Sequence, residues 1–252
     1  MRYVLDVRYK GTDYSGWQSQ PNATTVQGEL NKALELLLRT EIVSYGAGRT
    51  DAGVHALTMP THFDYDGELH PHFFRSLNAV LPPAIAIMGV YRPTRTNFHA
   101  RFDATSRAYR YFLAFRKDPN HYQRSWWCKE NIDFDLMQKG AEVFLEFDSF
   151  ESFCKANANN KTFFCDIKHS YWEKEDDLWV FNVKADRFLR GMVRAMVGTM
   201  IDMGKGKLDP DGLREVLRAK DRRKAGGFAP ADGLFLTQVN YPEGDLVKIE
   251  FS

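Results

Sequence analysis

The sequence predicts an α+β protein built on mixed or antiparallel sheets. Two observations carry this. Strand-like and helix-like segments interleave without the strict alternation that a parallel βαβ sheet requires. In addition, Ile167–Trp172 and Trp179–Ala185 read as two successive strands close enough to form a hairpin. The 252 residues suffice for one large domain or two moderate ones.

The elements follow in order. Tyr3, Leu5, Val7 and Tyr9 alternate with Arg2, Asp6 and Arg8, the period of a half-buried strand. A glycine-punctuated loop, Gly11 to Gln18, comes next. Val26, Leu30, Ala33, Leu34, Leu37 and Leu38 then recur at helical spacing, with Thr24 and Gln27 fitting a capping box. Glu41–Tyr45 is predicted as a second strand and His62–Tyr65 as a third, followed by a short helix through Phe73, Phe74 and Leu77. Pro93-Thr-Arg-Thr96 marks a connection, and the expected boundary divides an N-terminal α+β domain, residues 1–103, from a C-terminal one, residues 104–252. Tyr109, Tyr111, Leu113 and Phe115 have the strand period, and a helix is expected around Leu136–Phe147. A further helix is expected from Arg187 to Ile201, with a wide apolar arc from Phe188 to Met200. Asp209-Pro210 opens the last helix with an N-cap and a proline at its first position.

Composition narrows the function. Apolar residues make up 44% and charged residues 27%, as in ordinary globular proteins. No apolar run approaches the ~20 residues of a membrane span. The first residues enter a strand pattern at once, so the expectation is a cytoplasmic chain without a signal peptide. Cys128, Cys154 and Cys165 are odd in number and widely spaced, which argues against a disulfide framework or a zinc site. The net charge of +1 gives no global sign of a nucleic-acid partner. Local clusters could supply one: Arg101, Arg107 and Arg110; Arg187, Arg190 and Arg194; and the run from Arg218 to Lys224.

The most informative segment is Gly46-Ala-Gly-Arg-Thr-Asp-Ala-Gly-Val-His55. It sets Asp51 between Gly48 and Gly53 on what reads as a tight, exposed turn, with Arg49 two residues earlier. A carboxylate held by its backbone can serve as nucleophile or general base, and a guanidinium suits phosphate or base contacts. Asp is also an ordinary turn residue, so the segment alone decides nothing. Arg187, Arg190 and Arg194 would share one side of the expected helix, with Arg194 at the edge of its apolar arc. Such an Arg either meets a carboxylate or lays its stem along apolar surface. Tyr109, near Arg107 and Arg110, is either core filling or a ring that stacks on an extruded base. His70-Pro-His72 beside Glu68 reads as a polar loop, and no P-loop, Rossmann or Gly-x-Ser-x-Gly pattern is present.

Together these segments resemble the tRNA pseudouridine synthase A family over nearly the whole chain. The resemblance rests on Tyr9-Lys-Gly-Thr-Asp-Tyr-Ser-Gly-Trp-Gln18, Thr25-Val-Gln27, Gly48-Arg-Thr-Asp-Ala-Gly-Val-His55, and Asn78 with Leu81-Pro82. It continues in Phe98-His-Ala-Arg101, Arg107-x-Tyr-Arg-Tyr111, Phe188-Leu-x-x-x-Met-Val-Arg194 and Ala229-Pro-Ala-x-Gly-Leu234. Two departures stand out: Thr58-Met-Pro60, where the family often has Gly-Gln-Val, and Arg187, where a small residue is common.

The resemblance implies the pseudouridine synthase fold, two subdomains with an active-site cleft, and isomerisation of uridine in the anticodon stem-loop of tRNAs, at positions 38 to 40. It implies no cofactor and no metal, because the reaction has no redox step. Asp51 matches the catalytic aspartate, which could attack ribose C1′, add to uracil C6, or act as a base that forms a glycal. Arg49 matches the residue that helps hold the flipped nucleotide out of its stem, and Tyr109 the tyrosine that packs on the flipped base. Arg194 matches the basic partner of the aspartate, and Leu189 would wall the pocket. A homodimer crossed by tRNA is also implied. The alternative is a non-catalytic tRNA-binding or folding protein on the same scaffold.

Overall fold

The N-terminal alternation becomes strand β1, Arg2–Tyr9, in the computed structural model, which describes residues 1–156 and 161–251. There follow α1 (Val26–Leu38), β2 (Tyr45–Gly46), β3 (His55–Asp64), α2 (Phe73–Val80) and β4 (Ile85–Pro93). Next come β5 (Ser106–Ala114), β6 (Trp126–Trp127), α3 (Phe134–Val143), β7 (Ile167–Glu175) and β8 (Leu178–Ala185). The described residues end with α4 (Met192–Gly204), α5 (Pro210–Ala219), β9 (Leu234–Asn240) and β10 (Leu246–Lys248). This is an α+β protein with mostly antiparallel pairing: β1 with β3 and β4, β10 with β4, β2 with β3, and β8 with β5 and β7 are antiparallel, and the short pair of β5 with β6 is parallel.

The chain divides into two compact units, Met1–Thr105 with Leu236–Ser252, and Ser106–Phe235. In the first unit β1 lies between β3 and β4, with β10 on the far edge of β4. Tyr3, Leu5 and Val7 are buried, and the Tyr3 ring stacks on Phe63 with centroids 5.7 Å apart. In the second unit β8 lies between β5 and β7, and α3 packs on α4, α5 and β7. Its core includes Tyr111, Phe181, Met196 and Met200, with the Trp172 indole N–H 3.2 Å from the Met200 sulfur.

Several expectations are corrected. The cap of α1 is Thr25, not Thr24: its hydroxyl accepts from the Gly28 N–H at 3.2 Å. Gln27 is no capping-box partner, because its side-chain amide donates to the Ser44 carbonyl and its oxygen accepts from Ser19 N–H. That bond also explains why Glu41–Tyr45 is not a strand. Ser44 N–H donates to Asn31 Oδ1, so both backbone groups of Ser44 are engaged by α1 side chains and none is left for a ladder. Only Tyr45–Gly46 pairs, with His62 and Thr61 of β3.

β3 is 10 residues long, more than twice the expected length, and runs through Pro60. The Pro60 carbonyl accepts from Ala47 N–H at 2.8 Å. A residue's N–H and C=O point to the same side of a strand, so the missing donor faces the β2 side. There β2 stops, and the chain leaves into the Asp51 loop. β4 goes unsignalled in the sequence because its pairing with β1 slips between Asp6 and Val7, which breaks the alternation.

The helix expected from Arg187 begins only at Met192. Gly191, just before it, has φ 72°, a left-handed conformation that ends any helical path through residues 187–190. Arg187, Arg190 and Arg194 therefore do not share a helix face.

Candidate active site

Asp51 sits on the loop that connects β2 to β3, partly exposed, with Arg49 exposed beside it. Of the two glycines that frame it, only Gly53 takes a positive φ, 81°. The loop is shaped instead by what packs behind it. Thr50 is buried, its hydroxyl 2.8 Å from the Tyr9 hydroxyl, and its carbonyl accepts from Trp17 N–H at 3.2 Å. Gly53 N–H reaches the Tyr14 carbonyl at 3.3 Å, and Val54 N–H closes the turn on the Asp51 carbonyl at 3.2 Å.

The loop Gly11–Gln18 thus clamps the Asp51 loop from behind. The fit leaves no room for side chains: a Cβ on Gly11 would fall 2.0 Å from the Val54 carbonyl oxygen, and one on Gly16 2.6 Å from that of Thr50. The buried imidazole of His55 accepts from Gly11 N–H at Nδ1, 3.1 Å away. Tyr9, Trp17, Thr50 and His55 are the residues that sequence reasoning left without a role here. They lay inside quoted motifs, but nothing in their spacing told that the two segments meet.

Thr58, at the first family departure, donates to Asp6 Oδ1 at 2.6 Å, and Met59 fills the core. Burial pushes the Asp6 carboxyl up, against the lowering effect of the Thr58 hydroxyl.

The second unit carries Tyr109, Leu189 and Arg194. Tyr109 and Tyr111 share a face of β5, yet differ in environment. Tyr111 is fully buried, its hydroxyl donates to the Pro230 carbonyl at 2.9 Å, and burial holds its pKa well above the usual range. Tyr109 is partly exposed, with its ring edge-on to Phe188 at 5.0 Å. Of the neighbouring cations, Arg107 donates to the Asp186 carbonyl and Arg110 pairs with Glu175. Leu189 is buried in the segment before α4 and its carbonyl accepts from Met192 N–H.

Arg194, in the first turns of α4, is locked to the Gly226–Ala229 loop. Its Nε donates to the Ala229 carbonyl at 2.7 Å, while Ala229 N–H donates to the Arg194 carbonyl at 3.0 Å. Its guanidinium lies 5.7 Å from the Phe228 ring, which Arg222 approaches at 4.3 Å. Arg222 in turn donates to the carbonyls of Ala225 and Gly226. The loop lies directly on α4: a Cβ on Gly198 would sit 1.8 Å from the Gly227 oxygen.

Among the described residues no three His, Cys, Asp or Glu side chains gather as a metal site requires. Cys128, Cys154 and Cys165 are buried thiols that form no disulfide, and burial pushes the Cys165 thiol up to about 12. Among the described residues no helix is long and apolar enough to cross a membrane.

A family model described as tRNA pseudouridine synthase matches residues 148–242. A tRNA pseudouridine synthase A from Parabacteroides distasonis is 45% identical over 251 residues, 99% of each chain. That of Bacteroides thetaiotaomicron is 45% identical over 96% of this chain and 91% of its own. The more distant Aliivibrio salmonicida protein of the same name is 38% identical over 99% of this chain and 96% of its own. With this identity along essentially its full length, the chain belongs to the tRNA pseudouridine synthase A family.

Proposed function

We propose that this protein isomerises uridine to pseudouridine in the anticodon stem-loop of tRNAs, at positions 38, 39 or 40, with Asp51 as the catalytic group. The observation that carries the reading is Asp51 itself: a partly exposed aspartate on a loop fixed from behind through Tyr9, Tyr14, Trp17 and Thr50. Pre-set geometry of this kind lowers the cost of positioning a reacting group.

In the reaction the N1–C1′ bond breaks, the uracil turns over, and C5 joins C1′. N1 ends with a proton and C5 loses one, so atoms and electrons balance without a co-reactant. Asp51 opens the sequence at the ribose or at the base. The target lies in a paired stem or at its junction and must first be extruded, at a cost of a few kcal/mol. Arg49 stabilises the extruded state and Tyr109 packs against the flipped base. Arg194 takes the role of the family's basic residue for the catalytic aspartate, and Leu189 that of its apolar wall. We infer a cytoplasmic homodimer, in which two subunits add their modest basic strips along one tRNA.

The test is Asp51→Asn, assayed with tRNA tritiated at uridine C5. Tritium release falls to background while tRNA binding stays within about threefold, since phosphate contacts dominate affinity. Turnover near the wild-type rate would remove Asp51 from this role. The rival, a non-catalytic tRNA-binding protein, predicts that the wild type binds tRNA and releases no tritium.

A further inference from the structure

The most exposed large apolar side chain among the described residues is Phe102, at 74% exposure, and its setting is unusual for a stray surface ring. It stands on a turn fixed by a dense set of bonds. Phe102 and Asp103 N–H both donate to the His99 carbonyl, at 3.1 and 3.0 Å. Asp103 Oδ2 accepts from His99 N–H at 2.6 Å, and His99 Nδ1 accepts from Arg101 N–H at 3.1 Å. Ala100, fully buried beneath, donates its N–H to His62 Nδ1 at 3.2 Å.

On this rigid turn the flat groups line up. The His99 ring is 4.3 Å from Phe102, and the Arg101 guanidinium is 5.6 Å from the same ring. The series continues inward: His99 meets His62 at 4.5 Å, and His62 stacks on the half-exposed Tyr45 at 5.1 Å. Tyr45 opens β2, the strand that leads into the Asp51 loop.

We propose that Phe102, backed by His99 and flanked by Arg101, is a stacking site for an unpaired nucleobase of the bound tRNA other than the uridine being isomerised. A preset aromatic face with a guanidinium beside it matches a base and its adjoining phosphate. One ring framed by an arginine and imidazoles offers too little apolar area for a stable interface with another protein chain, whereas a single base covers it. This inference rests on tRNA being the substrate.

The experiment compares wild type, Phe102→Ala and Phe102→Trp in two assays: anisotropy of a fluorescent, unmodified tRNA transcript, and tritium release. Phe102→Ala raises Kd and KM about tenfold with kcat at saturation within about twofold, and Phe102→Trp restores both, because stacking needs only a π-face. A Kd for Phe102→Ala within about twofold of wild type would overturn the proposal. So would a change in sedimentation mass for that variant, which would assign the ring to contact between copies of this chain. Absence of tritium release by the wild type would overturn the isomerase reading alone, since the anisotropy comparison decides the stacking site by itself.

Discussion

At the scale of single residues, two side chains carry sharp expectations. Arg194 has one edge of its guanidinium committed to the Ala229 carbonyl, which fixes the direction of the rest. Arg190 is exposed, on the segment before the helix. Arg194→Met is expected to lower kcat about a hundredfold, the scale of losing one preset charge in an active site, while Arg190→Met has little effect. Equal, small losses measured by tritium release would mean that Arg194 merely covers apolar surface. His62 is the second case. Burial first, then the charge of Arg2 and the neighbouring His99, lowers its pKa from 6.5 to about 4. A histidine held neutral in the fold binds its proton more readily when unfolded. Its contribution is therefore complete above pH 6.5 and is lost as pH falls from 6.5 towards 4, by at most about 3 kcal/mol. Urea midpoints measured across that range should fall less steeply for His62→Gln than for wild type; parallel curves would show that His62 titrates normally.

At the scale of elements, the central junction is α4 against the Gly226–Ala229 loop. Gly198 lets the loop's backbone touch the helix, and Gly226 N–H is held by Thr199 Oγ1 at 2.9 Å. Gly198→Ala should push the loop away, destabilise the protein by about 1–3 kcal/mol as overpacking does, and lower kcat by displacing Ala229 from Arg194. An unchanged melting temperature and rate would refute that coupling. Elements with local signals were legible in the sequence. The β1 alternation, the α2 apolar residues, the β7–β8 hairpin and the Asp209-Pro210 start of α5 all appear where the pattern put them. The start of α4 was not legible, because Phe188, Leu189, Met192 and Val193 keep a helical spacing across Gly191 and hide its left-handed turn. Nor was the loss of strand at Glu41–Ser44, which depends on Asn31 and Gln27 reaching over from a helix. Residue types in the candidate site were legible from motifs; the clamp of one motif on another needed coordinates.

At the scale of the whole molecule, the chain is nearly neutral at +1, so its affinity for tRNA has to come from local groups and not from overall charge. The segment Leu236–Ser252 belongs with the first unit, where β10 pairs with β4, a long-range return that no local pattern announces. The proposed roles draw on Arg49 and Asp51 from the first unit and on Tyr109, Leu189 and Arg194 from the second. The central claim is that this set converts uridine in the anticodon stem-loop. It is tested most directly by incubating the purified protein with an unmodified tRNA transcript and mapping pseudouridine by chemical derivatisation and primer extension. The account predicts stops within positions 38 to 40 for wild type and none for Asp51→Asn. Stops confined to another arm of the tRNA, or none with the wild-type protein, would contradict it.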